Sequence, residues 1–189
     1  VLFRSVLAQQ VVMGEMIVPQ EAKNWIGDDA TETARKELTI ALAAARAGLP
    51  FNFDCWDGFP AARRRLLEDA ANANANLVVL AGDSHNAWAN NLENGKTAVG
   101  VEFATHSVTS PGFESYLPRV SPDELAAALR ATNRHLAYAD TRHRGYTSVM
   151  LTPQSATGNF HFLKTIRERD TALLETRSLS ANFGSRRFT

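Results

Sequence analysis

The sequence predicts an α/β fold with a mixed sheet, and three patterns support this. Residues 77–81 form an unbroken apolar run closed by Gly82, which is typical of a strand buried on both faces. Residues 31–47 and 60–73 carry apolar side chains at helical spacing. Beyond residue 135 the pattern becomes strand-like, which predicts antiparallel strands toward the carboxyl end of the chain.

Composition and charge set broad limits on the fold and the function. The chain has 189 residues, of which 44% are hydrophobic and 21% charged, a balance that suits a single globular domain over residues 1–189. The formal net charge is zero, so the chain carries no global signature of binding to nucleic acid or to an anionic membrane. A single cysteine, Cys55, excludes an intrachain disulfide and leaves the redox compartment open, and no apolar run reaches the length of a membrane span.

The first half of the chain is expected to place one strand and two helices before the buried run. In order, the sequence predicts a strand over residues 6–13, a loop over 14–29, a helix over 31–47, an irregular aromatic segment over 49–60 and a helix over 60–73. Gly48 is a good stop for the first helix, because glycine readily adopts the conformation that ends helices. Pro60 suits the first position of the second helix.

The second half is expected to be rich in strands. In order, the sequence predicts a short polar segment ending in a turn at residues 94–95, a strand over 97–104, a hydroxyl-rich loop over 105–113, a helix beginning after residue 121, and strands over 135–139, 146–151, 159–166 and 173–183. Ser121, Pro122 and Glu124 form a capping box at the start of that helix. Arg144 and Gly145 are expected to form the turn between the first two of these last strands.

Polar residues follow the buried run directly. Asp83, Ser84, His85 and Asn86 come at the carboxyl end of a predicted central strand, where open α/β sheets place their ligand sites. Asp83 and His85, two residues apart on a tight loop, can direct an oxygen and an imidazole at one metal ion. The simpler alternative is that Asp83 caps a following helix and His85 forms a local hydrogen bond.

Two further polar clusters lie close to this loop in sequence. Asp54 and Asp57 precede it, and residues 102–110 follow it. Because strands adjacent in sequence are usually adjacent in space, the three loops are expected to share one end of the sheet. Each cluster also has a structural interpretation: Asp57 can form a turn or start a helix, Glu102 can point outward from its strand, and His106 can be a hydrogen-bonded loop residue.

A serine-esterase interpretation has some support in the sequence. Gly82, Asp83 and Ser84 look like the nucleophile block of the GDSL esterases, and Asp140 with His143 matches their Asp-x-x-His block. The expected hairpin turn at residues 140–143 produces such a spacing by chance. The intervening Gly-x-Asn-Asp block of that family is absent, and its nucleophile block comes near the start of the domain. This interpretation is therefore the alternative, not the first choice.

A larger pattern points to a different family. The segments WDGFPAARRRLL, NLVVLAGDSHNAWANNL and VGVEFATHSVTSPGFE occur in that order and closely resemble the C-terminal half of the PhoD-like alkaline phosphatase (alkaline phosphatase D) family. The resemblance covers most of residues 5–152 and is strongest over residues 56–114. It implies the C-terminal half of a metallophosphatase-type α/β/β/α sandwich, with a metal centre at the strand ends.

The resemblance also implies a function and a set of site residues. The function is metal-dependent hydrolysis of phosphoric esters, either monoesters or diesters, with iron and calcium as cofactors. His85 of the Gly-Asp-x-His motif is implied as a metal ligand and catalytic residue. Asp83 is implied as a second catalytic residue, which either binds metal or holds the ligands in place. Asp57 is implied as a calcium ligand and Asn86 as a weaker candidate ligand. Members of this family are usually exported, so the resemblance implies a periplasmic or extracellular location. It also implies a phosphate-ester substrate as the partner.

The chain also departs from the family pattern. The family's N-terminal half supplies a Cys, a Gly-Asp motif with a Tyr, an Asn and an Asp-Asp-His-Glu motif, and Cys55 lies in the wrong place to replace that cysteine. The chain opens with strand-like sequence and no initiator Met, so we expect a fragment that lacks the N-terminal half, exposes an apolar sheet edge and is inactive or nearly so alone. The remaining alternative is a non-catalytic binding module that kept the fold.

Overall fold

The computed structural model describes residues 5–27, 31–50 and 52–189 and contains two sheets with helices on one side. The strands are β1 (Ser5–Ala8), β2 (Leu77–Ala81), β3 (Ala87–Asn94), β4 (Thr97–Ala104), β5 (Leu136–Asp140), β6 (Gly145–Leu151), β7 (Ser155–Leu163) and β8 (Leu173–Asn182). The α-helices are α1 (Glu32–Arg46), α2 (Pro60–Asn72), α3 (Phe113–Tyr116) and α4 (Pro122–Thr132), with short 3-10 turns at Gln20–Asn24 and Trp56–Gly58. The predicted α/β class with a mixed sheet is confirmed.

The first sheet has five strands in the order β1-β2-β4-β3-β5. Strands β1, β2 and β4 run parallel, while β3 runs antiparallel to both of its neighbours. Val78 and Val79 in β2 are completely buried, one on each face of the sheet. The prediction of a buried strand over residues 77–81 is therefore confirmed, and it places the loop that follows at the carboxyl end of the parallel strands.

Both faces of this sheet are covered. Leu67 of α2 and Leu125 of α4 belong to apolar clusters on one face. The other face packs against the antiparallel sheet β6-β7-β8, where Phe160 and Phe162 of β7 join Phe103 of β4 in one cluster. The order of layers is helices, mixed sheet, antiparallel sheet, which agrees with part of the α/β/β/α sandwich that the sequence predicts.

One predicted strand is shorter than expected, and one strand was not predicted. The strand predicted over residues 6–13 ends at Ala8, because the chain then turns away and Met13 and Gly14 donate their N–H groups to the carboxylate of Glu102 instead of to a strand. The polar segment before residue 94 is in fact strand β3. Two of its asparagines bond within the fold: the buried Asn90 donates to Glu102, and the half-buried Asn91 accepts from the backbone N–H of Phe188. Because polar residues occupy inward-facing positions of this strand, its sequence lacks the alternation of apolar and polar residues that marks a strand.

The second half contains one wrong connection. Strands β5 and β6 were expected to form a hairpin, but they belong to different sheets, and residues 141–144 pass from one sheet to the other. Strand β7 begins at Ser155, before the predicted residue 159. The capping box of α4 is confirmed, since Ser121 Oγ accepts from Glu124 N at 3.2 Å.

Residues 28–29 of the predicted loop and residue 51 of the irregular segment lie outside the described residues. That residues 1–189 form a single domain stays a prediction. Among the helices described here, none is long and apolar enough to cross a membrane.

Candidate functional site

The loop after β2 has a strained backbone. Asp83 and His85 adopt left-handed conformations with φ of +64° and +62°. Residues other than glycine adopt this region rarely, although Asp and His tolerate it better than most. Such strain persists only where surrounding contacts hold it, and it is concentrated at functional sites.

His85 is held by a neighbouring loop. Its Nδ1 donates a 2.9 Å hydrogen bond to the carbonyl oxygen of Pro111, in the loop that follows β4. A carbonyl oxygen can only accept, so this bond places the proton on Nδ1 and leaves a lone pair on Nε2. Histidine ligands of metals usually donate their other ring N–H in this way. The half-buried ring therefore has the arrangement of a metal ligand, although the same bond also suits the simpler alternative.

Asp83 is exposed and lies beside a cleft between the two sheets. Its Oδ1 accepts a long, 3.4 Å contact from Gln10 Nε2. The cleft has a volume of about 570 Å³, and its walls also include Thr105 and His106. The alternative in which Asp83 caps a helix is wrong, because β3 begins at Ala87 instead of a helix.

Asn86 is buried, and each polar atom of its side chain forms one hydrogen bond with the backbone. Its Oδ1 accepts from Phe113 N at 3.1 Å, and its Nδ2 donates to Ser84 O at 2.6 Å. An amide oxygen has a second lone pair, so these bonds leave one acceptor position on Oδ1. The loop after β2 is thus joined to the start of α3.

Asp57 carries an unsatisfied buried oxygen. It lies in the 3-10 turn Trp56–Gly58, where its Oδ2 accepts from Met16 N at 3.1 Å. Its Oδ1 is buried and has no hydrogen-bond partner among the described residues. Burial raises the pKa of this carboxyl to about 7. An orphaned carboxylate oxygen is a position that a cation would satisfy.

The three polar clusters meet at one end of the sheet, as expected, but they do not form a complete ligand set. Asp57 and Ser84 line a common cavity of about 160 Å³, while Asp83 faces the larger cleft with His106. Across residues 5–27, 31–50 and 52–189, no group of three or more His, Cys, Asp or Glu side chains could hold a metal ion.

The expectations for Glu102 and His106 had opposite outcomes. Glu102 does not point outward: it is completely buried and accepts bonds from Met13, Gly14 and Asn90. His106 is the expected hydrogen-bonded loop residue, with Nε2 donating to the carbonyl of His161 at 3.1 Å. Burial lowers the pKa of His106, which favours the neutral ring.

The geometry does not favour the esterase alternative. Ser84 Oγ accepts from the indole of Trp88 at 2.7 Å and donates to the carbonyl of Asn86 at 3.2 Å. No histidine is among its hydrogen-bond partners in the described chain. Asp140 and His143 do form a pair at 2.8 Å, yet they belong to the crossing between the sheets. A serine without a basic partner is a weak nucleophile.

One residue near the loop escaped the sequence analysis. Arg144, expected only in a turn, is buried and donates from Nη1 to the carbonyl of His85 at 2.8 Å. The two residues are 59 positions apart, so no local pattern could have revealed the contact. The crossing between the sheets brings them together.

Comparison with known proteins now identifies the family. A sequence model described as PhoD-like phosphatase matches residues 4–160. The chain belongs to the PhoD-like phosphatase family. Alkaline phosphatase D of Bacillus subtilis (strain 168) is 30% identical over 129 residues, which cover 65% of this chain and 21% of that protein. The resemblance found in the sequence motifs is confirmed.

A solved structure supports the fold assignment for this PhoD-like chain. The structure described as "Structure of PhoD" superposes with a TM-score of 0.67 at 24% identity, over 97% of this chain and 30% of that one. At this identity the likeness shows the fold alone. The chain spans 21% and 30% of the lengths of these two PhoD relatives.

Proposed function

We propose that this chain takes part in metal-dependent hydrolysis of phosphoric esters, as part of a PhoD-like alkaline phosphatase or phosphodiesterase. The observation that carries the proposal is the bond from His85 Nδ1 to Pro111 O, which leaves Nε2 without a partner among the described residues, on a strained loop at the sheet end. Family membership supports the same reaction class. Asp83 on this loop is the second catalytic residue of the proposal.

The donor atoms fit iron and calcium. Iron accepts imidazole nitrogen and carboxylate oxygen, which His85 and Asp83 offer. Calcium takes oxygen ligands, and the unsatisfied Oδ1 of Asp57 and the remaining lone pair of Asn86 are of that kind. When bound, such metals polarise phosphoryl oxygens and lower the pKa of an attacking water.

The residues of this chain would hold and orient these groups. The Pro111 carbonyl fixes the tautomer and the orientation of the His85 ring. The cleft beside Asp83, at about 570 Å³, has the volume of a small-molecule site and would admit a phosphate ester. The same proposal includes export to the periplasm or the cell exterior, because members of this family are usually exported.

The chain by itself is proposed to be inactive or nearly so. The described residues form no group of three ligands, and a metal site with an incomplete set loses both affinity and geometry. The remaining ligands would come from another part of a longer polypeptide, comparable in length to the relatives. That part is the partner that the proposal requires.

The test compares this chain with a version extended upstream, using p-nitrophenyl phosphate and bis(p-nitrophenyl) phosphate as substrates. The extended form is expected to hydrolyse at least one of them, and the His85→Ala variant to lose about 100-fold or more of that activity. His161→Ala is the matched control, because that ring bonds to Ser148 and Thr176 on the second sheet. Hydrolysis that survives His85→Ala would contradict the proposal. A folded, metal-free and inactive extended form would favour the binding-module alternative.

A further inference from the structure

The strained loop after β2 needs an external restraint to keep its shape. Asp83 and His85 both have left-handed backbones, each of which costs on the order of 1–3 kcal/mol in a residue other than glycine. Within the loop, Ser84 N donates to Gly82 O at 2.7 Å, a contact too local to define where His85 lies. The restraint must come from the surrounding segments.

Arg144, 59 residues further along the chain than His85, supplies such a restraint. It is 5% exposed and lies where the chain crosses from β5 to β6. Its Nη1 donates to the carbonyl oxygens of His85 at 2.8 Å and of His143 at 3.0 Å, and its Nη2 forms an ion pair with Glu114 in α3. One guanidinium therefore joins the loop after β2, the crossing between the sheets and the segment after β4.

The space around the guanidinium is closely filled. A Cβ atom added to Gly112 would lie 2.7 Å from Arg144 Nη2, 2.5 Å from Asn86 Oδ1 and 2.8 Å from Glu114 Oε2. A side chain at this position would have to displace all three of these groups. The side chains that fix the loop thus converge on one position, next to the Pro111 carbonyl that accepts from His85.

The chemistry of the contact is specific to arginine. The planar guanidinium presents donors in a fixed fork, so it can serve a carbonyl and a carboxylate at once. A lysine ammonium is a compact charge on a flexible stem and cannot hold both in the same geometry. A buried arginine paired with Glu114 also keeps its charge compensated, which explains its place in the interior.

We propose that Arg144 is the positioning residue of the His85 loop. Its guanidinium holds the backbone of His85 in the left-handed conformation, so that the ring keeps its bond to Pro111 and presents Nε2. This inference rests on the proposed role of His85 as a metal ligand. It concerns how the loop is held and adds no ligand to the site.

The first test is amide hydrogen exchange on this chain, which needs no metal. In Arg144→Met, the amides of Ser84 and Phe113 are expected to exchange at least about tenfold faster, beyond any change in the amides of strand β7. The control is Arg142→Met, two residues earlier, whose exposed side chain bonds only to Asp123 among the described residues. Glu114→Gln is a milder second variant, expected to change the loop in the same direction.

The second test measures iron and calcium affinity of the extended polypeptide. Arg144→Met is expected to weaken binding about 10- to 100-fold, the usual effect of removing a group that orients a ligand. Equal acceleration of loop and β7 amides in both Arg144→Met and Glu114→Gln would overturn the inference, and so would a loosened loop with unchanged metal affinity. Metal affinity that is unchanged in His85→Ala would instead contradict the proposed function.

Discussion

The ring of His85 donates a 2.9 Å hydrogen bond to the carbonyl oxygen of Pro111, 26 residues further along the chain. The bond joins the loop after β2 to the loop after β4, and β2 and β4 are parallel neighbours in the first sheet. The position of the imidazole is therefore set by a second loop as well as by its own. Changes in the second loop should reach His85.

Gly112→Ala tests that link. The new Cβ would lie 2.5 Å from Asn86 Oδ1 and 2.7 Å from Arg144 Nη2, so these side chains must shift and their bonds to the two loops are strained. We expect the free energy of unfolding, measured with denaturant, to fall by about 1–3 kcal/mol. Gly82→Ala is the control, because its Cβ would meet Thr105 at an ordinary 3.7 Å, and its effect should stay within about 0.5 kcal/mol. Equal losses in the two variants would count against the link.

The Ser84→Ala variant tests whether Ser84 has a structural role or acts as a nucleophile. The substitution removes the acceptor of the Trp88 indole, a 2.7 Å bond, so we expect a loss of about 1–2 kcal/mol in the free energy of unfolding. Ser178→Ala, which removes an exposed hydroxyl on the second sheet, should change stability by less than about 0.5 kcal/mol. A fluorophosphonate probe should not label the unmodified chain. Labelling that disappears in Ser84→Ala would restore the esterase alternative.

The buried carboxyl of Glu102 is expected to make the free energy of unfolding depend on pH. Burial raises the pKa of this carboxyl above its ordinary value. The hydrogen bonds that it accepts from the N–H groups of Met13 and Gly14 lower the pKa, but their effect is smaller than that of burial. A carboxyl whose pKa is raised by folding stabilises the folded chain below the ordinary pKa, and this contribution falls as the pH rises above it. The free energy of unfolding should therefore decline above about pH 4.3, by at most about 1.4 kcal/mol per pH unit for this group.

Glu102→Gln should flatten that decline, since the amide does not titrate. Denaturant unfolding at several pH values between about 4 and 8 measures the difference between the variant and the unmodified chain. Glu168→Gln, an exposed glutamate, should reproduce the unmodified curve. Parallel curves for Glu102→Gln and the unmodified chain would show that Glu102 does not titrate in this range.

Local patterns in the sequence predicted the parts of the fold that local chemistry determines. The apolar run of β2 and the capping box of Ser121 and Glu124 each need only neighbouring residues, and both are confirmed. Strand β3 was missed because it is rich in polar residues whose partners lie elsewhere in the chain: the buried Asn90, for example, bonds to Glu102. A polar residue with a distant partner looks like a surface residue when only the sequence is known.

For the candidate site, too, the sequence predicted the position of the loop but not the contacts that hold it. The position of the loop after β2, at the end of the parallel strands, follows from the sequence pattern and is confirmed. The restraint on that loop could not be predicted, because Arg144 and His85 meet only when the chain crosses between the sheets. The roles of His85, Asp83, Asp57 and Asn86 as ligands stay predictions.

The proposed metal site is best tested by the metal content of this chain beside an upstream-extended form, measured by elemental analysis after purification. We predict iron or calcium in the extended form, loss of metal in its His85→Ala variant, retention in His161→Ala, and neither metal in the short chain. If both forms fold well and carry no metal, the likeness to PhoD does not extend to metal binding in this chain, and the proposed roles of Asp83 and His85 are wrong.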